Sequence, residues 1–316
     1  MQRVGFGLPW IDTKRDWAGL ASRLGRAPVV PIGVAVTADA PGDATSAMLA
    51  ASKFGKTLTD LGCEPVPVVT IASGASDRAS RTTALPRLLA RILNQYDLPI
   101  VVIVGDRPNH HEWGTTVADV VANVSACVRV REAFGAPARI VAPAVVPGSP
   151  HPCSSVAWQR APRLRERLMP WEQWATAIGE GAASVGADGV ALWVAGKPHS
   201  LLDADEPSND TNRTPEGAHR GTRAYRDVAT AIANGWSQVC DDEPRLVVAH
   251  LAPDAGMGEL SWASYPKGWL PAAIAELRNG PIAHAIDEVV VGTRRPATPL
   301  ETDLSHDIDR VLAQWT

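Results

Sequence analysis

Eight short segments rich in Val and Ile, each followed by a longer segment with helical spacing of its apolar residues, predict an α/β fold. A strand that is followed by a helix pairs in parallel with the next strand, because the crossover returns the chain to the same end of the sheet. Eight such units in 316 residues match a single (β/α)8 TIM barrel, which usually takes about 250 residues. We therefore expect residues 1–316 to form one barrel domain.

Polar loops, glycine or proline bound each predicted element. The predicted strands are Arg3–Pro9, Val29–Val36, Pro65–Ala72, Pro99–Gly105, Ala138–Val146, Asp188–Gly196, Arg245–Ala252 and Ile286–Gly292. The predicted helices are Asp12–Leu24, about Ala44–Leu61, one beginning near Thr83, about Thr115–Phe134, Trp171–Val185, about His219–Trp236, Trp269–Arg278 and Leu304–Trp315. In the third helix Pro86 is expected in the first turn, where a missing N–H has no effect.

An open, doubly wound sheet is the alternative to the barrel, and it often carries a glycine-rich phosphate turn after its first strand. Here that turn reads "GFGLPW", which lacks the third glycine of GxGxxG and contains a proline. This sequence argues against a dinucleotide site, and we expect no cofactor.

The composition of the chain gives expectations about nucleic-acid and membrane partners, export and the state of the cysteines. A net charge of −4 gives no reason to expect nucleic-acid binding. The chain has no apolar run of the ~18 residues that a membrane span needs, and we expect no membrane partner. The N-terminus lacks the apolar stretch of a signal peptide, so we expect synthesis in the cytoplasm without export by the usual route. Four scattered cysteines without CxxC spacing predict buried thiols.

In a (β/α)8 barrel the functional residues lie at the carboxyl ends of the strands and in the loops that follow them. In this sequence those positions are rich in Trp, His, Asp and Arg. The ligand-binding candidates are Trp10, Asp106, Arg107, Asn109, His111, Trp113, Trp193, His250 and Trp262. Flat indole rings suit the apolar C–H face of a sugar, and the polar side chains suit its hydroxyls. The competing interpretation is that each tryptophan caps the barrel core or anchors a loop.

The stretch "VGDRPNHHEWG" and the order of segments resemble the large superfamily of (β/α)8 glycoside hydrolases. That resemblance implies an acid/base Glu in a G-N-E-P-N pattern at strand four and a nucleophile Glu in a V-T-E-F pattern at strand seven. The first pattern falls on 105–109, which places Arg107 at the acid/base position. The second falls on 248–251, which places His250 at the nucleophile position.

Both catalytic carboxylates of the resembling family are therefore replaced. Retaining hydrolysis needs two carboxyl groups about 5–5.5 Å apart. Arginine keeps its proton at neutral pH and cannot serve as a general acid/base. A relocated pair, Asp106 with Asp254 or Glu112, is the alternative, since inverting enzymes need only about 6.5–9.5 Å between carboxyl groups. Against it stands loop capping, or an ion pair of Asp106 or Glu112 with Arg107.

A catalytic metal is the other chemistry that these residue types allow. The ligand candidates are His110, His111, His199 and His250 with Asp254, but neither HxH nor HExxH spacing is present. We expect no metal.

The sequence thus predicts a glycosidase-like barrel that lacks the two catalytic carboxylates of the resembling family. Such a protein would bind a glycan, or would serve as a structural or interaction module with protein partners in a larger assembly. The absence of an export signal suits a component that is assembled inside the cell, such as part of a phage tail or another virion component.

Overall fold

The structure is a computed structural model that describes residues 3–7, 17–38, 41–72, 78–95, 99–106, 108, 116–145, 171–196, 224–253, 268–292 and 301–313. Eight strands alternate with eight helices along these residues. The strands are β1 Arg3–Gly7, β2 Val29–Thr37, β3 Glu64–Ala72, β4 Ile100–Val104, β5 Ala138–Val145, β6 Gly189–Gly196, β7 Leu246–Pro253 and β8 Ile286–Val291.

The eight strands form one closed barrel in chain order. Every neighbouring pair is parallel, and the barrel closes where β1 pairs with β8 as well as with β2. Closure leaves no sheet edge with unpaired backbone groups. The predicted (β/α)8 TIM barrel is confirmed.

Helices follow the strands and cover the outside of the barrel. They are α1 Trp17–Leu24, α2 Pro41–Asp60, α3 Arg78–Gln95, α4 Val117–Phe134, α5 Trp171–Ser184, α6 Ala224–Trp236, α7 Trp269–Asn279 and α8 Glu301–Ala313. The predicted starts of the first and sixth helices, Asp12 and His219, lie outside the described residues.

The prediction for the third helix was wrong at its start. Helix α3 begins at Arg78, so Pro86 lies inside the helix and not in its first turn. A proline there provides no N–H for the carbonyl four residues before it. The buried face formed by Leu85, Leu89 and Ile92 stabilises the helix across this position, because tertiary packing outweighs local propensity.

Two apolar layers make up the core. The larger one lies between the strands and the helices and takes alternate strand residues such as Val102, Ile140 and Val248. The smaller one fills the barrel lumen with the residues between them, including Ile103 and Val141. This alternation follows from the two-residue period of a strand. A filled lumen leaves the carboxyl end of the barrel as the place for a site.

The amino end of the lumen carries charged groups. Glu288 has no exposed surface, and its Oε1 accepts hydrogen bonds from Arg139 at 2.7 Å and from Arg3 at 3.3 Å. Arg139 also donates to Asp287 at 3.1 Å, and Arg245 donates to the other Asp287 oxygen at 3.0 Å. Burial raises the pKa of the Glu288 carboxyl, although the adjacent Arg139 acts in the opposite direction.

Helices α5 and α6 pack closely through glycines. A Cβ on Gly179 would lie 2.2 Å from the carbonyl oxygen of Ile232, and one on Gly235 would lie 1.8 Å from that of Thr176. A side chain at either position would overlap the neighbouring backbone, so glycine is required for this approach.

Of the three cysteines that the structure describes, two are buried and one is half-buried. Cys63 and Cys127 are buried, as predicted, and Cys240 is half-buried. Burial raises the pKa of Cys127 to about 12. The predicted burial of Cys153 concerns a residue outside the described ranges. Within those ranges, the helices are all too short or too polar to cross a membrane.

Candidate functional site

Three of the predicted site residues are described: Asp106 after β4, Trp193 on β6 and His250 on β7. The structure brings Trp193 and His250 into direct contact. The other candidates lie outside the described residues: Trp10, Arg107, Asn109, His111, Trp113 and Trp262, with Glu112 and Asp254 of the alternative carboxylate pairs.

Strand β4 ends in a sharp change of backbone direction at Gly105. Its φ of 107° lies in a region that side chains disfavour, and its N–H donates to the carbonyl oxygen of Ile71 at 2.8 Å. Asp106 follows immediately and is half-buried, and Pro108 is buried. The glycine therefore fixes where Asp106 leaves the barrel wall.

A cap fixes the other end of the same connection, at the start of α4. The N–H of Asp119 donates to Oγ1 of Thr116 at 3.2 Å, and the N–H of Thr116 donates to the Asp119 carboxylate at 3.1 Å. This capping box satisfies two backbone donors that the helix cannot bond internally. The Asp119 carboxylate is thus engaged at the helix terminus, a role that the sequence analysis did not assign.

A bulge in β7 determines the direction of His250. Between β6 and β7, the pair Leu192–Val248 is followed by Trp193–His250, so β7 contains one extra residue. Between β7 and β8 the register shifts in the same part of β7, where Leu251 pairs with Val291.

The division of β7 side chains between the two core layers agrees with that bulge. Val247 and Ala249 belong to the lumen layer, whereas Val248 and Leu251 belong to the outer layer. Regular alternation would put Leu251 in the lumen. The extra residue instead places His250 on the same side as Ala249, which is how bulges redirect side chains near functional sites.

His250 stacks on Trp193. The ring centroids are 4.0 Å apart and the ring planes are inclined by 18°. His250 has no exposed surface, whereas Trp193 is half-buried and packs against the lumen layer. The exposed surface of this stacked pair therefore belongs to the indole, and the imidazole lies behind it.

This arrangement limits what His250 can do chemically. A glycosyl nucleophile must reach the anomeric carbon of a bound sugar. The imidazole is covered by the Trp193 indole and has no surface that a substrate could touch. His250 in this position backs an aromatic ring and has no access to a reacting atom.

The other described tryptophans serve the core. Those buried on helices are Trp17, Trp171, Trp174, Trp236 and Trp269. These five were not among the ligand-binding candidates, and they pack in the core. Trp193 differs because it lies on a strand and keeps part of its surface exposed.

Among the described residues, no group of three or more His, Cys, Asp or Glu side chains is arranged to hold a metal ion. His250 is the one metal-ligand candidate from the sequence analysis that falls within them, since His110, His111, His199 and Asp254 lie outside.

Two solved structures with a similar barrel are a glucosidase and a mannanase. A glucosidase from Croceicoccus marinus aligns with a TM-score of 0.52 at 13% identity, over 92% of this chain and 58% of that chain. A double mutant of the Cellulomonas fimi endo-β-1,4-mannanase aligns with a TM-score of 0.54 at 12% identity, over 99% of this chain and 71% of that one. The protein has a glycoside-hydrolase-like barrel fold.

At these identities the likeness concerns the fold alone, and this chain spans little more than half the length of the glucosidase. No protein-family model and no curated protein matches the sequence.

The sequence analysis named Trp193 and His250 separately and missed their pairing. The bulge that creates it leaves no clear signal in "LVVAHLAP", where an apolar run surrounds one histidine. A strand that is buried on both faces has no polar alternation from which an extra residue could be detected.

Proposed function

We propose that the protein is a non-catalytic glycoside-hydrolase-like barrel that binds a glycan at the carboxyl end of its strands. The observation that carries the proposal is the state of His250, the residue at the position matched to the family nucleophile. It is an imidazole rather than a carboxylate, and it is fully buried against Trp193. Neither the chemistry nor the exposure of a glycosyl nucleophile is available there.

The sequence supplies the second half of this argument. Arg107 occupies the position matched to the acid/base Glu. A guanidinium stays protonated at neutral pH and cannot exchange a proton with a leaving group. It remains a strong hydrogen-bond donor, and sugar hydroxyls are acceptors that it can engage. Binding without turnover is consistent with both replacements.

An active hydrolase with relocated carboxylates is the second candidate. Asp106 favours it, because this half-buried residue directly follows β4 at the carboxyl end of the barrel. Its proposed partners are Asp254 or Glu112. An inverting reaction would require the two carboxyl groups to face each other about 6.5–9.5 Å apart.

Two assays separate these candidates. The purified chain is tested for binding on a glycan array, and for release of reducing sugar from a broad panel of glycosides. We expect binding to at least one glycan and no release above the buffer control. Hydrolysis that disappears in Asp106→Asn or Asp254→Asn, with folding retained, would establish the relocated pair and overturn the proposal.

A purely structural role, for example as a virion component with protein partners, is the remaining form of the non-catalytic hypothesis. It predicts no glycan binding and no hydrolysis. A blank glycan array would therefore overturn the binding proposal and favour the structural role.

A further inference from the structure

We infer that the barrel wall has a built-in seam between β1 and β2, at which it opens locally while β1 stays paired with β8 and the other strands stay closed. This conformational device is independent of the proposed function. It is carried by the short pairing of β1 with β2, by a proline that limits this pairing, and by the firmer attachment of β1 to β8.

Closure removes every edge strand, but β1 is paired unequally on its two sides. Along the described residues, β1 pairs with β2 only at its end, where residues 6–7 lie in register with 32–33. On the other side, residues 3–6 pair with 288–291 of β8. Strand β2, by contrast, pairs with β3 over its whole length. The first half of β1 is therefore held in the sheet by β8.

Pro31 explains why the pairing with β2 is short. A Cβ on Gly5 would lie 1.8 Å from the carbonyl oxygen of Pro31, so this carbonyl points toward β1. The N–H of a strand residue points to the same side as its C=O, and proline has no N–H. The pairs Val4–Val30 and Gly5–Pro31 would both need a donor at position 31. That donor is missing, and neither pair forms.

An ion pair adds to the attachment of β1 to β8. Arg3, at the start of β1, donates to the buried Glu288 carboxylate of β8 at 3.3 Å. Glu288 is held in turn by Arg139 of β5 at 2.7 Å. Backbone pairing and side chains thus act together on this side, and β1 should remain on β8 when the seam opens.

Helix α1 bridges the seam on the outside of the barrel. Trp17 packs edge to face on Phe6 of β1, with 6.3 Å between the ring centroids and 65° between the ring planes. The carbonyl oxygen of Trp17 also accepts a hydrogen bond from the thiol of Cys63, directly before β3, at 3.8 Å. Helix α1 therefore contacts both sides of the seam and acts as the latch that keeps it closed.

The lumen layer does not depend on β1. Within the described residues, Val4 and Phe6 belong to the outer layer, and the alternate positions Gly5 and Gly7 have no side chain to give to the lumen. Opening thus releases α1 and the short β1–β2 pairing, while the packing between the other strands stays intact. Units of this size open below the free energy of global unfolding.

Native-state hydrogen exchange in urea below the unfolding transition tests the seam. Because Pro31 faces β1, alternation gives the N–H groups of Phe6 and Gly33 to the seam and that of Gly5 to β8. Residues 101–103 of β4, which is paired on both sides, supply the reference amides. We expect Phe6 and Gly33 to be protected about 100-fold less than the reference, and Gly5 about tenfold more than Phe6. Their opening should depend little on urea, since it exposes little surface.

A proline variant tests the cause. Pro31→Ala supplies the missing N–H and should raise the protection of Phe6 and Gly33, relative to the reference amides, by about fivefold. Pro67→Ala is the matched control, because Pro67 is also buried in a strand but lies in β3, away from the seam. Both changes free the unfolded chain in the same way. The relative protection of the seam should stay unchanged in the control.

Each outcome decides a different part. Seam amides that are protected as strongly as the reference amides in wild type would overturn the inference. If Gly5 exchanges in the same step and to the same extent as Phe6, β1 leaves as a whole, and its retention on β8 is wrong. Relative protection that does not rise in Pro31→Ala, or that rises equally in Pro67→Ala, would overturn the role of the proline.

Discussion

The imidazole of His250 lies flat against the indole of Trp193, with 4.0 Å between the ring centroids, at the position that the sequence analysis matched to a nucleophilic carboxylate. A catalytic carboxylate and a stacked imidazole at position 250 would need different surroundings. A nucleophile must be reachable by the substrate, whereas a stacked ring must lie face to face with a flat neighbour. The surroundings of His250 meet the second demand.

Introducing a carboxylate at this position should therefore destabilise the protein. We expect His250→Glu to lower the free energy of unfolding at pH 7 by about 3 kcal/mol relative to His250→Gln, because the carboxylate charge would occupy a fully buried position against an indole. Urea unfolding of both variants measures the difference. The gap should narrow as the pH falls, since protonation removes the buried charge. Equal stability at pH 7 would contradict the assignment.

The close approach of α5 and α6 predicts a strong effect of a single methyl group. Gly235→Ala places a Cβ against the Thr176 carbonyl oxygen and should lower the free energy of unfolding by about 3 kcal/mol. The matched control is Gly42→Ala in the first turn of α2, where no atom lies within 4 Å of the added Cβ. That change should raise stability by about 0.5–1 kcal/mol. Thermal or urea unfolding distinguishes the two, and similar losses in both would refute the packing argument.

The capping box at the start of α4 predicts a smaller effect. Thr116→Ala removes the side-chain oxygen that accepts the Asp119 N–H and should lower the free energy of unfolding by about 1 kcal/mol. Thr116→Ser keeps this oxygen and should be nearly neutral. Amide hydrogen exchange in the first turn of α4 should accelerate in the alanine variant alone. Exchange that is unchanged in both variants would contradict the role of the cap.

The burial of Glu288 leads us to expect that protein stability depends on pH in an unusual direction. Its folded pKa is raised by burial, so between the ordinary Glu pKa and the raised one the folded protein holds a proton that the unfolded chain has released. Stability contributed by this group therefore falls as the pH rises through that window. A carboxylate whose pKa was lowered by its arginines would give the opposite slope.

Glu288→Gln does not titrate and supplies the reference. The free energy of unfolding of wild type minus that of Glu288→Gln should decrease from pH 4 toward pH 7. The steepest slope expected for one titrating group is about 1.4 kcal/mol per pH unit. Urea unfolding at pH intervals of ~0.5 measures this difference. A difference that increases with pH would show that the ion pairs with Arg139 and Arg3 outweigh burial.

The barrel could be predicted because its signal is repeated eight times. Each apolar strand and each helical stripe is weak alone, but their alternation leaves few topologies. Most element bounds agree within a few residues. Pro86 misled the prediction for α3, because local rules place proline at a helix start, while the buried face of Leu85, Leu89 and Ile92 extends the helix on both sides of it.

The site was less predictable for a physical reason. Which residues lie near the carboxyl end of each strand is readable from sequence, and Asp106, Trp193 and His250 became candidates in that way. Which side chains face one another depends on register, and register in strands that are apolar on both faces is set by tertiary packing. The extra residue in β7 changes which β7 residue pairs with Trp193, but it leaves the pattern of apolar and polar residues in the sequence unchanged.

The charged cluster at the amino end of the barrel bears on whether a ligand could pass through the lumen. Glu288 has no surface open to water, and the apolar lumen layer lies between it and Trp193. A ligand that contacted the indole would have to enter and leave at the carboxyl end of the barrel. The filled lumen therefore gives a ligand at the carboxyl end no route through the barrel to the amino end.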